Sequence, residues 1–382
     1  MAKKSILFLF LLITGIFHSQ QWQTATLQHT SGLREYSIYV PSNYNAQNPA
    51  SLVLTLHGLG DTMANFRNIG FAALAETQNI IVVCPQALSD PLFGTAWNSG
   101  ASYFYTPNSN VDDIGFLSAL IDQVKQNYAI NPDKVFACGF SMGGFMTERL
   151  ALVLNDKIKV FASVAGTFGN GILPVAAGTP GRPVSIAHFH GTADITIGYT
   201  NNNFGNSVDQ MISYWKTNNA SNSSPVHTTL PNTANDGYTV DHYRYTSPNN
   251  NSVIELFKVN NADHTWLTAQ NDISYTQEIW KFFNQNSNNL SVSEIAENVS
   301  FSIHPIPARD FITLRFPEHY SNIEIKITDL TGREVLSEKI SLDSKNQYTL
   351  HLKSTRLGRG MYLIAVKTNP DKNTVVKKII VD

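Results

Sequence analysis

Apolar positions along this chain follow two different rhythms. Up to about residue 260 they come in short, nearly unbroken runs: "SLVLTLHG", "NIIVVCP", "KVFACGF", "VFASVAG", "VSIAHFHG" and "VIELFKV". A strand that is apolar at every position is covered on both faces, which is the condition of a parallel sheet between helices. Stretches of helical period separate several of these runs. The clearest is "VDDIGFLSALIDQVKQNY", where Leu117, Leu120, Ile121, Val124 and Tyr128 fall on one face and Asp112 or Asp113 is placed to cap the first turn. Before the first run, "TATLQHTSGLREYSIYVP" alternates and reads as a hairpin turning at Ser31-Gly32. The pattern predicts an α/β fold with a mostly parallel sheet, and reactive groups on loops at the C-terminal ends of its strands. Beyond residue 300 the rhythm changes. "FITLRF", "IEIKITDL", "YTLHL", "MYLIAV" and "VVKKIIV" are short and alternating, an all-β signature of about seven strands.

The polar, Asn/Ser-rich "NQNSNNLSVSEIAENV" at 284–299 divides the two rhythms and reads as a linker. It leaves one domain at 21–283 and another at 300–382. Residues 1–20 read as a signal peptide, with Lys3 and Lys4 before the apolar "SILFLFLLITGIF" and polar residues from His18. That apolar run is too short for a stable membrane span, and no later run is expected to cross a bilayer. An exported chain is the expectation. The net charge of −2 gives no sign of a nucleic-acid partner. Cys84 and Cys138 each end a buried run, and are expected to act as separate small apolar residues rather than a disulfide.

Candidate chemistry begins at "VFACGFSMGGFMTERLAL". A buried strand turns directly into a helix around Gly139-Phe140-Ser141-Met142-Gly143, a G-x-S-x-G. Glycines two before and two after the serine relieve crowding at such a turn, which lifts the Ser141 hydroxyl above the sheet. The first N–H groups of the helix, that of Met142 among them, then point at whatever Ser141 attacks. A serine alcohol needs a base to take its proton. His188 and His190 lie within a buried strand, where packed and hydrogen-bonded rings are expected. His242 sits in an alternating strand and His227 in a polar loop. His264 follows "VIELFKVNNAD" on a loop past a strand end, which selects it as the base. By the same rule Asp194, just past the strand ending at His190, is the acid. Its rivals are less well placed: Asp112 and Asp113 are at a helix cap, and Asp263 is adjacent to the histidine. The order Ser, Asp, His is that of α/β-hydrolases. Leu59, after the strand ending in His57-Gly58, is expected to supply the second oxyanion N–H, with the His57 ring bracing the loop. No Cys/His cluster has metal-ligand spacing, and this chemistry needs neither metal nor cofactor.

Taken together, "REYSIYVP", "LHGLGD", "AWNSG", "VDDIGFLSALIDQV", "GFSMGGFM", "HFHGTAD", the Trp215 helix and "ADHTW" resemble the secreted esterases of carbohydrate esterase family 1. That family includes feruloyl and acetyl xylan esterases, and polyhydroxybutyrate depolymerase-like proteins share the pattern. The resemblance covers nearly all of residues 24–283. It implies an α/β-hydrolase with Ser141 as nucleophile, Asp194 as acid and His264 as base, and places Trp97 and Trp266 near the substrate. The chain departs from many members at Asp61, Met142 and Leu267, where Gly, Asn and Pro are common. Separately, "IHPIPARDFITLRF", "IKITDLTGREVLSEKI" and "GRGMYLIAVKT" resemble the C-terminal sorting domain of the type IX secretion system. That resemblance implies a small β-sandwich, the type IX machinery as a partner, and release from the cell or attachment at its surface.

The expected function is a secreted carboxylic ester hydrolase acting on plant-wall esters. An extracellular polyester depolymerase is the alternative within the same chemistry. A non-catalytic surface module is the alternative outside it, although a degenerate copy is expected to have lost one of the three site residues. The aromatic segment "AWNSGASYFYTPN" reads either as a cleft wall, with Trp97 the foremost contact, or as an ordinary packed loop.

Overall fold

The computed structural model describes residues 21–102, 104–171 and 180–287, and most of 301–381. The expected signal peptide therefore lies outside the described residues, as does most of the expected linker. The chain divides into two compact units, Met1–Leu290 and Ser291–Asp382.

In the first unit a ten-stranded sheet runs in the order β1-β2-β4-β3-β7-β8-β9-β12-β11-β10. Its strands are β1 (Gln23–His29), β2 (Gly32–Tyr39), β3 (Ala50–Leu56), β4 (Ile80–Pro85), β7 (Ile130–Phe140), β8 (Val160–Val164), β9 (Ser185–Gly191), β10 (Val226–Thr229), β11 (Thr239–Thr246) and β12 (Val253–Asn260). A two-stranded hairpin, β5 (Ser89–Asp90) and β6 (Gly94–Thr95), stands apart. The apolar runs of the sequence are β4, β3, β7, β8, β9 and β12, and they pair in parallel as expected. Antiparallel pairs close both ends, β1 with β2 and β11 with β10. The first of these hairpins turns at Thr30-Ser31, one position earlier than expected. Gly32 opens β2 with a positive φ of 104°.

The runs look unbroken because each face of the sheet has its own core. Leu52, Leu54, Ile81, Val83, Val135 and Ala137 pack on one side, beneath α3 (Asp113–Asn127), α4 (Met142–Val153) and α5 (Val208–Asn218). The intervening Val53, Ile80, Val82, Phe136 and Cys138 pack on the other, beneath α2 (Phe71–Gln78) and α6 (Tyr275–Ser287). A short turn of helix, α1 (Met63–Phe66), follows β3 ahead of α2. Helix α6 reaches four residues into the expected linker, because Phe282, Phe283, Asn286 and Ser287 are buried on its inner side. Cys84 and Cys138 are buried and free. Among the described residues no helix is long and apolar enough to cross a membrane.

The second unit holds two sheets. One orders β13 (Ser302–His304), β14 (Phe311–Arg315) and β17 (Gln347–His351). The other orders β16 (Glu334–Ser341), β15 (Asn322–Asp329), β18 (Gly360–Asn369) and β19 (Thr374–Val381). Ile312, Leu314 and Leu350 of the first meet Ile323, Ile325, Ile327, Ile364 and Val366 of the second in a single core, a small β-sandwich.

Candidate active site

Strand β7 ends at Phe140 and α4 starts at Met142, so Ser141 alone makes the turn. Its φ of 56° and ψ of −120° lie where residues with a Cβ rarely sit. The strain is held on both sides. The Ser141 N–H donates to Val164 O at 2.8 Å, and its carbonyl accepts from Phe145 N–H at 3.0 Å. The flanking glycines are required by close approach. A Cβ at Gly139 would fall 2.2 Å from Gly143 O, and one at Gly143 would fall 2.0 Å from Leu56 O.

Past the end of β9, Asp194 sits in a turn that wraps its own carboxylate. Oδ1 accepts the N–H groups of Thr196 (2.9 Å) and Ile197 (2.7 Å). Oδ2 lies 2.7 Å from His264 Nδ1, on the loop after β12. Burial alone would raise the Asp194 pKa. The hydrogen bonds from His264 and Ile197, with the nearby His264 and His190 rings, outweigh it and hold the carboxyl below its ordinary range. An ionised Asp194 can only accept, so His264 Nδ1 carries a proton, and in the neutral tautomer this selects, Nε2 bears the lone pair. The Phe140 ring packs against this imidazole at 4.8 Å between centroids.

The loop after β3 closes over the serine. A Cβ placed on Gly58 would meet Ser141 Cβ at 3.4 Å, so the backbone leading into Leu59 runs against the turn. His57 fixes that loop. Its Nε2 accepts Ala87 N–H at 3.1 Å, and Nδ1–H donates to Gly58 O at 2.8 Å. Burial holds its pKa below the ordinary value, so the ring is neutral and a brace.

Ser141, Met142, Leu59 and His264 line one cavity of about 480 Å³. Its other walls are largely apolar: Phe93, Phe104, Pro107, Phe145, Ile197 and Phe204, with Tyr105, Thr196 and Asp61. The two expected aromatic contacts lie elsewhere. Trp97 is fully buried and off the cavity wall; its indole N–H donates to His57 O at 2.9 Å and its ring packs on His57. Trp266 is half-buried and stands one layer behind the wall, edge-on to Phe140 and donating to Thr276 Oγ1 at 3.2 Å. The aromatic segment thus divides, with Phe104 and Tyr105 on the wall and Trp97 behind the oxyanion loop, while Tyr103 lies outside the described residues. Trp97→Phe is expected to lower stability by about 1–3 kcal/mol, since it strips a buried carbonyl of its donor. KM for a small ester should move less than twofold. A large KM rise with unchanged thermal stability would return Trp97 to the substrate.

The rival acids are engaged elsewhere or exposed. Asp112 caps α3 by accepting Gly115 N–H at 2.8 Å. Asp113 is buried, 2.8 Å from Arg34, and accepts Asn98 N–H. Asp263 is exposed. His227, expected in a loop, sits instead on the edge strand β10, 2.9 Å from Asp241.

Residues 43–219 match the phospholipase/carboxylesterase family, and residues 302–382 match the secretion system C-terminal sorting domain. Among curated relatives, the chain is similar to the bifunctional acetylxylan esterase/xylanase XynS20E of Neocallimastix patriciarum, 28% identical over 257 residues, or 66% of this chain and 33% of that protein. It is similar to feruloyl esterase D of Neurospora crassa at 28% identity, covering 45% of this chain and 57% of that one. It is also similar to poly(3-hydroxyalkanoate) depolymerase C of Paucimonas lemoignei at 25% identity, covering 69% and 66%. The chain thus spans between a third and two thirds of the length of these relatives.

Proposed function

We propose that this chain, an α/β-hydrolase whose residues 43–219 carry the phospholipase/carboxylesterase pattern, is an exported serine carboxylic ester hydrolase that acts on plant-wall polysaccharide esters through Ser141, His264 and Asp194. The observation that carries this reading is a single cavity on which Ser141, Met142, Leu59 and His264 all open. The far nitrogen of His264 is held by a buried carboxylate at 2.7 Å. His264 Nε2 takes the Ser141 proton as Oγ attacks the ester carbonyl. The Met142 and Leu59 N–H groups receive the oxyanion, and His264 then protonates the leaving alcohol. Water repeats the cycle on the acyl-enzyme. Asp194 fixes the imidazole tautomer and stabilises its charge while the proton is held. The apolar, aromatic wall suits a hydroxycinnamoyl or similarly flat acyl group. The sorting region at 302–382 supports an extracellular or surface location reached through type IX machinery.

A second reading has its own observation. Exposed apolar side chains stand at the mouth or beside wall residues: Leu59 (41% exposed), Leu92 (67%), Phe104 (76%) and Ile195 (95%). Such a rim also suits the face of a water-insoluble polyester. Rates on methyl ferulate, acetylated xylan and polyhydroxybutyrate film test both. The first reading expects the soluble or xylan esters to be cleaved at least about tenfold faster than the film releases product. Preferential erosion of the film supports the second, and no hydrolysis even of p-nitrophenyl acetate would remove the enzyme reading.

A further inference from the structure

Behind Asp194, strand β9 carries polar side chains that the reaction above does not use. His188 and His190 point to the same side of the strand and are both buried. Their protons can be assigned from one fixed end. Ile197 O can only accept, so its 2.7 Å contact places a proton on His190 Nε2. Burial holds both rings below the ordinary imidazole pKa and therefore neutral. His190 Nδ1 is then an acceptor, and His188 Nε2–H, 3.0 Å away, is its donor. That leaves His188 Nδ1 with a lone pair.

Facing it at 4.0 Å is Oε1 of Glu148, on α4. Neither atom has a hydrogen bond of its own among the described residues. The other Glu148 oxygen accepts the Trp215 indole N–H at 2.8 Å. Burial raises the Glu148 pKa to about 8, offset only in part by Trp215 and the nearby Ser163 hydroxyl, so the acid keeps its proton at neutral pH. A proton on Oε1 would face the bare His188 nitrogen across this 4.0 Å gap, which is longer than a formed hydrogen bond. At the opposite end, His190 Nε2 is also 3.5 Å from Asp194 Oδ2, the oxygen that holds His264. Ile197 closes the circuit: its carbonyl takes the His190 bond, and its N–H goes to Asp194 Oδ1.

We infer that Glu148, His188 and His190 form a buried one-proton chain whose end residue, His190, positions the Asp194 carboxylate against His264 by pinning the Ile197 turn. The inference rests on the reading of Asp194 as the acid of an ester hydrolase. Glu148 and His188 act through His190, by keeping its Nδ1 supplied with a donor and its Nε2 proton turned toward Ile197.

Two measurements test it, and the first does not depend on activity. Nitrogen-15 NMR of the full-length Ser141→Ala protein at pH 7 should show His188 and His190 both protonated on Nε2 and bare on Nδ1. A proton on either Nδ1 would overturn the chain, whether or not any ester is hydrolysed. The second is kinetic. His190→Phe should lower kcat by about 100-fold while KM moves less than about threefold, a size typical of residues that orient reacting groups. His190→Gln, which keeps an N–H near the Nε2 position, should recover at least about tenfold of that loss. Added to Asp194→Asn, His190→Phe should cost less than about threefold more, because the group it positions has lost its charge. A folded His190→Phe enzyme with parental kcat, or one whose loss persists unchanged in the Asp194→Asn background, would sink the assignment. Should His190→Phe not fold, Glu148 decides: Glu148→Gln, with an amide donor for His188, is expected to outpace Glu148→Leu by at least about tenfold in kcat. Equal rates for the two would overturn the chain.

Discussion

Ser141→Ala is expected to remove ester hydrolysis, lowering kcat by about 10⁴-fold or more and leaving only what the oxyanion donors and substrate binding supply. The fold should survive. The turn is held through the backbone of residue 141, by Val164 O and Phe145 N–H, and neither bond uses the hydroxyl. Among the other hydroxyls on the cavity wall, Tyr105 is hydrogen-bonded to Asp90. Thr196 lies in the turn that wraps the Asp194 carboxylate, its N–H donating to Oδ1. The measurement is kcat on a soluble ester beside a thermal melt. A variant that keeps a tenth of the parental rate would mean that another group attacks the carbonyl.

Asp194→Asn should be nearly as damaging, at about 10³–10⁴-fold in kcat, with much less change in KM. The amide no longer stabilises the imidazolium, and with its nitrogen turned toward His264 it favours the tautomer whose Nε2 already carries a proton. Asp112→Asn is the matched control. An Asn side chain still accepts Gly115 N–H at the start of α3, so activity should stay within about twofold and stability within about 0.5 kcal/mol. Assaying the two variants side by side separates a carboxylate that acts on the ring from one that ends a helix. If Asp112→Asn were the inactive variant, the acid would have to be sought in the loop before α3.

The sheet was legible because burial on two faces leaves a plain mark, the unbroken apolar run, and each such run became a central strand. The convergence of Ser141, Asp194 and His264 was legible for a related reason. In a parallel sheet the C-terminal loops converge, so a serine, an aspartate and a histidine just past three strand ends were expected on one side of the molecule. The cavity wall was not. Phe93, Phe145, Phe204 and Pro107 come from separate loops and a helix, and nothing in the local pattern of each says that they meet. Trp97 took the second of its two expected places, that of a packed loop, for a physical reason. An aromatic residue in a polar loop reads as a surface contact, but here the indole N–H satisfies a buried carbonyl and the ring is drawn inward. Glu148 left no mark either. On a helix buried nearly all round, a charged position looks like a solvent face until its neighbours are known. The end of α6 was missed because Asn286 and Ser287 are polar residues in buried positions.

The sheet order has a further consequence, in time. His264 follows β12, the last of the parallel strands to be made, and its partner carboxylate lies 70 positions earlier. Pairing of such distant segments is slow and comes late in folding. A chain still emerging from the ribosome, or threaded part-way through a membrane, has its serine turn but no imidazole to activate it. Topology alone therefore sets the earliest moment at which the Ser141 hydroxyl can meet its proposed base.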